Sequence, residues 1–188
     1  MGFIVLLAII ALPILFVVFI YNNLIGKKNK VEYAFSSIDV MLKKRRDLIP
    51  NLIDTVKEYM VHERELLTEI TQLRSQAMSG GISDEEMFHV EKKLSGRMGQ
   101  FKIAVENYPD LKANQNFLNL QASLNDVEEQ ISASRRAYNA AVMEYNNAIE
   151  MFPSNILANK MGYLRRPSFE IPEVERQNVD VKALFNRE

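Results

Sequence analysis

The sequence predicts an all-α protein in which an N-terminal transmembrane helix precedes an up-and-down bundle of three long helices and one short helix. Three observations support this fold class. The chain begins with an uncharged apolar run, its apolar residues later recur in steps of four and three, and its 188 residues include only 7 Gly and 6 Pro. Those steps place side chains on one helix face, and residues that break helices are scarce.

The apolar run extends from Phe3 to Tyr21 without a charge. As a helix it spans about 28 Å, close to the hydrocarbon thickness of a bilayer. A cleaved signal peptide is the rival interpretation, but no basic residue precedes the run and no Ala-x-Ala site follows it before Gly26. Residues 1–26 are therefore expected to form a membrane anchor that contacts the bilayer through residues 3–21, with Pro13 producing at most a mild kink.

Orientation is predicted from the basic residues beside the anchor. Lys27, Lys28 and Lys30 follow it at once, whereas only the terminal amine precedes it. Because positively charged flanks stay in the cytoplasm, we expect the N-terminus outside the bacterial cytoplasmic membrane and the bundle in the cytoplasm. The alternative places the bundle in the periplasm or outside the cell.

The first soluble helix is predicted from an apolar stripe that keeps steps of four and three from residue 31 to residue 77. A helix of that length measures about 70 Å. Pro50 lies inside the stripe and predicts a kink or a short break there, with a continuous kinked helix favoured because the stripe keeps its phase. The stripe comprises Val31, Phe35, Ile38, Leu42, Ile49, Leu52, Val56, Tyr59, Leu66, Ile70, Leu73 and Ala77.

Three further helices are expected at 84–107, 117–152 and 155–162. Ser83 or Asp84 would begin the first of these, and Pro153 would end the second. Residues 27–163 would then form the bundle, and residues 164–188, with two prolines, an extended tail.

Several segments resemble the LemA family. They are the run YNNLIGKKNKVEYAFSSIDVMLKKRRDLIPNL at 21–52, His-Glu at 62–63, YPDLKANQNFLNLQ at 108–121, RRAYNAAVMEYN at 135–146 and FPSNILA at 152–158. The resemblance covers nearly the whole chain in order. It implies a bacterial membrane protein with one N-terminal transmembrane helix, long antiparallel helices and no established enzymatic activity.

No motif in the sequence predicts catalysis, a cofactor or a metal. The chain has no Cys, and its two histidines, His62 and His89, lack the spacing of a helical metal site. No serine lies in a Gly-x-Ser-x-Gly turn of the kind that exposes a catalytic nucleophile, and no glycine-rich segment has the pattern of a phosphate-binding loop. A formal net charge of -1 with mixed signs also argues against nucleic-acid binding. We therefore expect a protein that is not an enzyme.

One apolar face and six polar residues are the candidate functional positions. With the second helix too short to cover the first, Val31, Phe35, Ile38 and Leu42 are expected to stay uncovered and to form a homo-oligomer interface. Polar residues on or beside the stripes are expected to be buried links that fix register or an interface, unless they lie at the stripe edge. They are Arg45, Glu63, Ser134, Arg135, Asn139 and Asn146.

Two functions remain open from the sequence. The first is a self-associating scaffold at the membrane. The alternative is an adaptor or regulator that binds a distinct membrane partner, such as a kinase or a protease.

Overall fold

The computed structural model describes residues 1–81 and 83–169, and these residues are helical except for short connections. The helices are α1 (Gly2–Val56), α2 (Arg64–Met78), α3 (Asp84–Val105), α4 (Pro109–Lys112), α5 (Gln115–Glu150) and α6 (Ser154–Lys160), with one 3₁₀ turn at Val61–Glu63. No strand lies within the described ranges. The all-α fold class and the N-terminal apolar helix are thus confirmed.

Local signals explain several helix ends. Ser83 caps α3, because its hydroxyl accepts a hydrogen bond from the Glu86 amide at 3.2 Å. Asn114 begins α5 in the same way, accepting bonds from the amides of Asn116 and Phe117 at 2.9 and 3.2 Å. These caps satisfy amides that have no partner inside their helix.

The long first helix ends earlier than the stripe predicts. Helix α1 continues through Pro50, as favoured, but it ends at Val56, and the chain reverses over residues 57–63. Two hydrogen bonds show the reversal: Arg46 donates to the Ala77 carbonyl at 2.6 Å, and Arg74 donates to the Arg46 carbonyl at 2.7 Å. The predicted single helix over residues 31–77 is therefore wrong. The steps of the apolar stripe stay in phase across the turn because α1 and α2 pack their apolar faces against the same core.

The described chain divides into two compact units. One contains residues 45–126 and Phe169, and its core is built by α1, α2, α3, α4 and the start of α5. The buried cluster comprises Ile49, Leu52, Val56, Met60, Leu67, Ile70, Leu94, Met98, Phe101, Val105, Leu111, Phe117 and Leu124. Burial of this apolar surface is the main stabilisation of the unit.

The other unit contains residues 1–44 and 127–168. Here α5 runs antiparallel to α1: the rings of Phe35 and Tyr138 lie 6.0 Å apart, and Lys30 contacts Glu144 further toward the N-terminus of α1. Both helices contribute buried residues to this unit, among them Leu24, Ile38 and Ile131.

The segment after α6 is held against α5 in the same unit. Asn146 makes two bonds to the Arg166 backbone, donating to its carbonyl at 2.9 Å and accepting from its amide at 3.0 Å. The Tyr145 and Tyr138 hydroxyls donate to the carbonyls of Leu164 and Pro167, both at 3.1 Å. Residues 163–169 have neither helix nor strand. Residues 170–188 of the predicted tail lie outside the described residues.

Candidate functional site

The first part of α1 presents an apolar surface on which no other part of the described chain packs. An 18-residue window of this helix has a mean hydropathy of 3.4 and is 0% buried, and Phe3 and Phe16 are 75% and 54% exposed. An apolar surface of this size is not left in water. With its length, the segment fits a hydrocarbon core.

Two lysines beside the apolar segment converge on one carboxylate of α5. The Lys30 ammonium lies 2.9 Å from a Glu144 oxygen and the Lys27 ammonium 3.4 Å from the other. Hydrogen bonds from Lys30 and then Lys27 lower the pKa of the Glu144 carboxyl below its usual 4.5. The pair is partly solvated, so its main effect is to fix where α5 meets α1.

A buried ionic cluster occupies the other unit. Arg45 of α1 pairs with Glu91 of α3, and neither side chain has any solvent exposure. Arg45 also donates to the Ser95 hydroxyl at 2.8 Å. The neighbouring Arg46, 7% exposed at its side chain, lies 3.4 Å from the second Glu91 oxygen. We call Arg45, Arg46 and Glu91 the arginine cluster.

The arginine cluster connects three helices. Arg46 reaches α2 through its bond to the Ala77 carbonyl, while Arg74 of α2 returns a bond to the Arg46 carbonyl. Because a buried charge is tolerated only with close partners, these contacts require α1, α2 and α3 to keep one relative register. The arrangement has the chemistry of a structural device, because its charged groups are paired with one another inside the helical core.

All six predicted polar links are buried or half-buried, and they are divided between the two units. Arg45 is fully buried and Glu63 is half-buried in one unit, whereas the other four lie in the other unit: Arg135 and Asn146 are buried there, Ser134 and Asn139 half-buried. Glu63 accepts a hydrogen bond from the Tyr108 hydroxyl, which raises the pKa of that phenol. The bonded partner described for Asn146 is a backbone segment of its own chain. An interface role for any of the six stays a prediction.

The face formed by Val31, Phe35, Ile38 and Leu42 is not left uncovered. Val31, Ile38 and Leu42 are 5%, 0% and 0% exposed within one chain, and Phe35 is half-buried against Tyr138. The expectation of an uncovered face is therefore wrong, and its cause is the missed reversal at 57–63. One additional turn reverses the direction of every later helix, so α5 returns along α1 instead of climbing away from the anchor.

Sequence reasoning missed Glu91 and Arg46. A signal for Glu91 was present, because steps of four and three along α3 run through Met87, Glu91, Leu94, Met98, Phe101 and Val105. All six are buried. For Arg46, which lies one position off the α1 stripe, no comparable signal exists.

No candidate metal centre is assembled in the described ranges. Across residues 1–81 and 83–169, no group of three or more His, Cys, Asp and Glu side chains is placed to hold a metal ion. Both His62 and His89 are exposed on helix or turn surfaces.

An exposed apolar helix that continues into helical packing defines a membrane-associated helical protein. A profile of the LemA family matches residues 34–183, and the chain belongs to this family. It is 28% identical over 186 residues to Protein LemA of Metamycoplasma hominis, covering 98% of this chain and 85% of that protein.

Two other relatives are magnetosome proteins. The chain is 22% identical over 175 residues to Magnetosome protein MamQ 2 of Paramagnetospirillum magneticum, which covers 80% of this chain and 64% of that protein. It is 21% identical over 170 residues to Magnetosome protein MamQ of Magnetospirillum gryphiswaldense, covering 77% and 62%. The chain thus spans less than two thirds of the length of these two relatives.

Proposed function

We propose that this protein is a non-enzymatic, membrane-anchored scaffold that self-associates at the bacterial cytoplasmic membrane. The observation that carries the proposal is α1, one helix whose exposed apolar start continues without a break into buried core positions. A lipid-embedded segment and a folded segment on one helix are mechanically joined, which suits an anchor for assembly.

Self-association is proposed through the outer face of α1. Tyr33 and Val40, seven residues apart and so on one face, are 79% and 58% exposed. Anchoring in a shared bilayer raises the local concentration of protomers and favours lateral contacts between them. The proposed contact differs from the face that the sequence predicts, because that face is already packed.

Light scattering on the detergent-solubilised chain tests the proposal. We expect an oligomer mass, and Val40→Glu should lower that mass by placing a charge in the contact. Ile103→Glu is the matched control, since Ile103 is 73% exposed in the other unit and should leave the mass unchanged. A monomer at all micromolar concentrations would refute self-association. A monomer that copurifies with a distinct membrane protein would support the adaptor function instead.

Orientation is part of the proposal and needs its own test. Lys27, Lys28 and Lys30 favour a cytoplasmic bundle. A reporter that is active only in the periplasm, fused after Glu188, should therefore be silent, and activity there would reverse the assignment.

A further inference from the structure

Exposed apolar side chains gather around the short helix α6. Met151, Phe152 and Ile156 are 63%, 79% and 56% exposed and lie within six residues of sequence. We call these three residues the α6 patch. None of these three residues belongs to the buried core of either unit.

The antiparallel pairing of α5 with α1 places the α6 patch beside the end of the apolar segment. Glu144 of α5 meets Lys27 and Lys30 of α1. From Glu144 to the end of α5 at Glu150 the helix advances about 9 Å, which corresponds to about six residues of α1 in the opposite direction. The patch therefore lies level with about residues 21–24 of α1, where the apolar run ends at Tyr21.

Contacts after α6 hold the patch in that position. The Lys28 ammonium lies 5.7 Å from the centre of the Tyr163 ring, and that ring lies 6.0 Å from the ring of Tyr145. Arg165 also pairs with Glu150 at 3.1 Å. The segment that follows α6 thus lies beside the first turns of α1 beyond the membrane segment, and it is also bonded to the end of α5.

We infer that the α6 patch inserts into the interfacial layer of the same bilayer that α1 crosses, an inference that rests on the proposed anchoring. Continuity with the apolar segment favours lipid as the occupant. Exposed Lys160 on α6 complements anionic head groups. Three side chains are far fewer than a specific protein interface uses, whereas lipid demands no shape complementarity. The bundle is then held to the membrane at two points.

Tryptophan fluorescence in liposomes tests this inference, because the chain has no Trp of its own. Phe152→Trp places a single reporter in the patch of the full-length protein. In vesicles of phosphatidylethanolamine and phosphatidylglycerol, lipids brominated near the head group should quench it strongly, and its emission should be blue-shifted relative to Trp in water. Ile156→Trp provides a second reporter should the first variant fold poorly.

Ala133→Trp is the matched control. Ala133 is exposed but lies eleven residues before Glu144 on α5, about 16 Å further from the apolar segment, so it should not be quenched. Phe16→Trp reports on the anchor and should be quenched by bromines deep in the acyl chains. Quenching of Phe16→Trp while both patch reporters behave as Ala133→Trp does would overturn this inference alone. Absence of quenching at Phe16→Trp would overturn the anchoring as well. A blue shift of the patch reporters without bromine quenching, rising with protein-to-lipid ratio, would instead mean that a second copy covers the patch.

Discussion

Replacing Glu91 by Gln should strongly destabilise the unit formed by residues 45–126. The Glu91 side chain has no solvent exposure and lies between Arg45 and Arg46, which are themselves 0% and 7% exposed. Removing its charge takes away the carboxylate that both buried guanidinium groups contact. Breaking a buried ion pair in this way costs about 3–5 kcal/mol, a large part of the roughly 5–15 kcal/mol that stabilises a typical protein.

Thermal unfolding followed by circular dichroism in detergent measures this cost. For a chain of this length the loss corresponds to a fall in Tm of about 6–20 °C. Glu69→Gln is the matched control: Glu69 pairs with Arg97 at 2.6 Å between α2 and α3, but the two side chains are 34% and 40% exposed. An exposed pair contributes at most about 1 kcal/mol, so the control should lower Tm by no more than about 4 °C.

A double-mutant cycle measures the interaction energy of the Arg45–Glu91 pair separately from the effect of each single substitution. Arg45→Met combined with Glu91→Leu replaces the ion pair with apolar groups, and the double variant should be more stable than either single variant. Arg46 keeps its bond to the Ala77 carbonyl in that background. Equal Tm values for Glu91→Gln and Glu69→Gln, or strictly additive effects of the two cycle substitutions, would refute the reasoning.

Three further outcomes are expected. Ile38→Glu should unfold the chain, because a charge would be forced into a position with 0% exposure. Val40→Glu, at a position with 58% exposure, should keep its helix signal. An Ile38→Glu protein that dissociates but stays folded would restore the interface interpretation. The pKa of Glu144 in the folded protein is below its ordinary 4.5, so the stability that its carboxylate contributes is present above that pH and is lost as the pH falls through the folded pKa. Glu144→Gln should therefore flatten the pH dependence of Tm in that range. An unchanged slope would contradict the pairing of Glu144 with Lys30. Pro50→Ala should leave Tm unchanged or raise it, since α1 is helical on both sides of Pro50, and a loss of unfolding cooperativity would oppose this.

Much of the secondary structure was predictable because its signals are local. Helices expected at 84–107, 117–152 and 155–162 are observed at Asp84–Val105, Gln115–Glu150 and Ser154–Lys160. Periodic apolar positions define the length of each, and a cap or a proline defines an end. Such signals depend on neighbours in sequence, so no knowledge of the tertiary fold was needed.

The reversal after Val56 was not predictable by the same means. No Gly or Pro occurs between Lys57 and Glu63 to mark a turn. Met60, 1% exposed, has φ -99° and ψ 55°, so a buried apolar residue occupies the break itself. The apolar periodicity shows which residues face the core. When two antiparallel helices pack against the same core, the steps of four and three can continue across the turn between them, so the pattern does not reveal the turn. One missed turn then reversed the assumed direction of α5.

Of the ion pair in the candidate site, only Arg45 was predicted from the sequence. Arg45 stands out as a charge inside an apolar stripe, but the distance in sequence to Glu91 is 46 residues, and only the packing of α1 against α3 brings them together. The stripe rule marks Glu91 as a buried position as well. It cannot say which of the buried charges pair.

The repeat of the α1 stripe gives a physical reason for placing a charge pair in this core. Its steps of four and three repeat every seven residues, so sliding a partner helix by one repeat would bring apolar side chains against apolar side chains again. Apolar burial alone distinguishes such registers weakly. A slide by seven residues moves Glu91 about 10 Å along α3 and leaves Arg45 buried without its anion, at a cost of several kcal/mol. The arginine cluster therefore acts against the alternative registers more than it adds to the stability of the observed one, which is why an apolar replacement of both Arg45 and Glu91 should lower Tm less than either single replacement while removing the penalty for slipping.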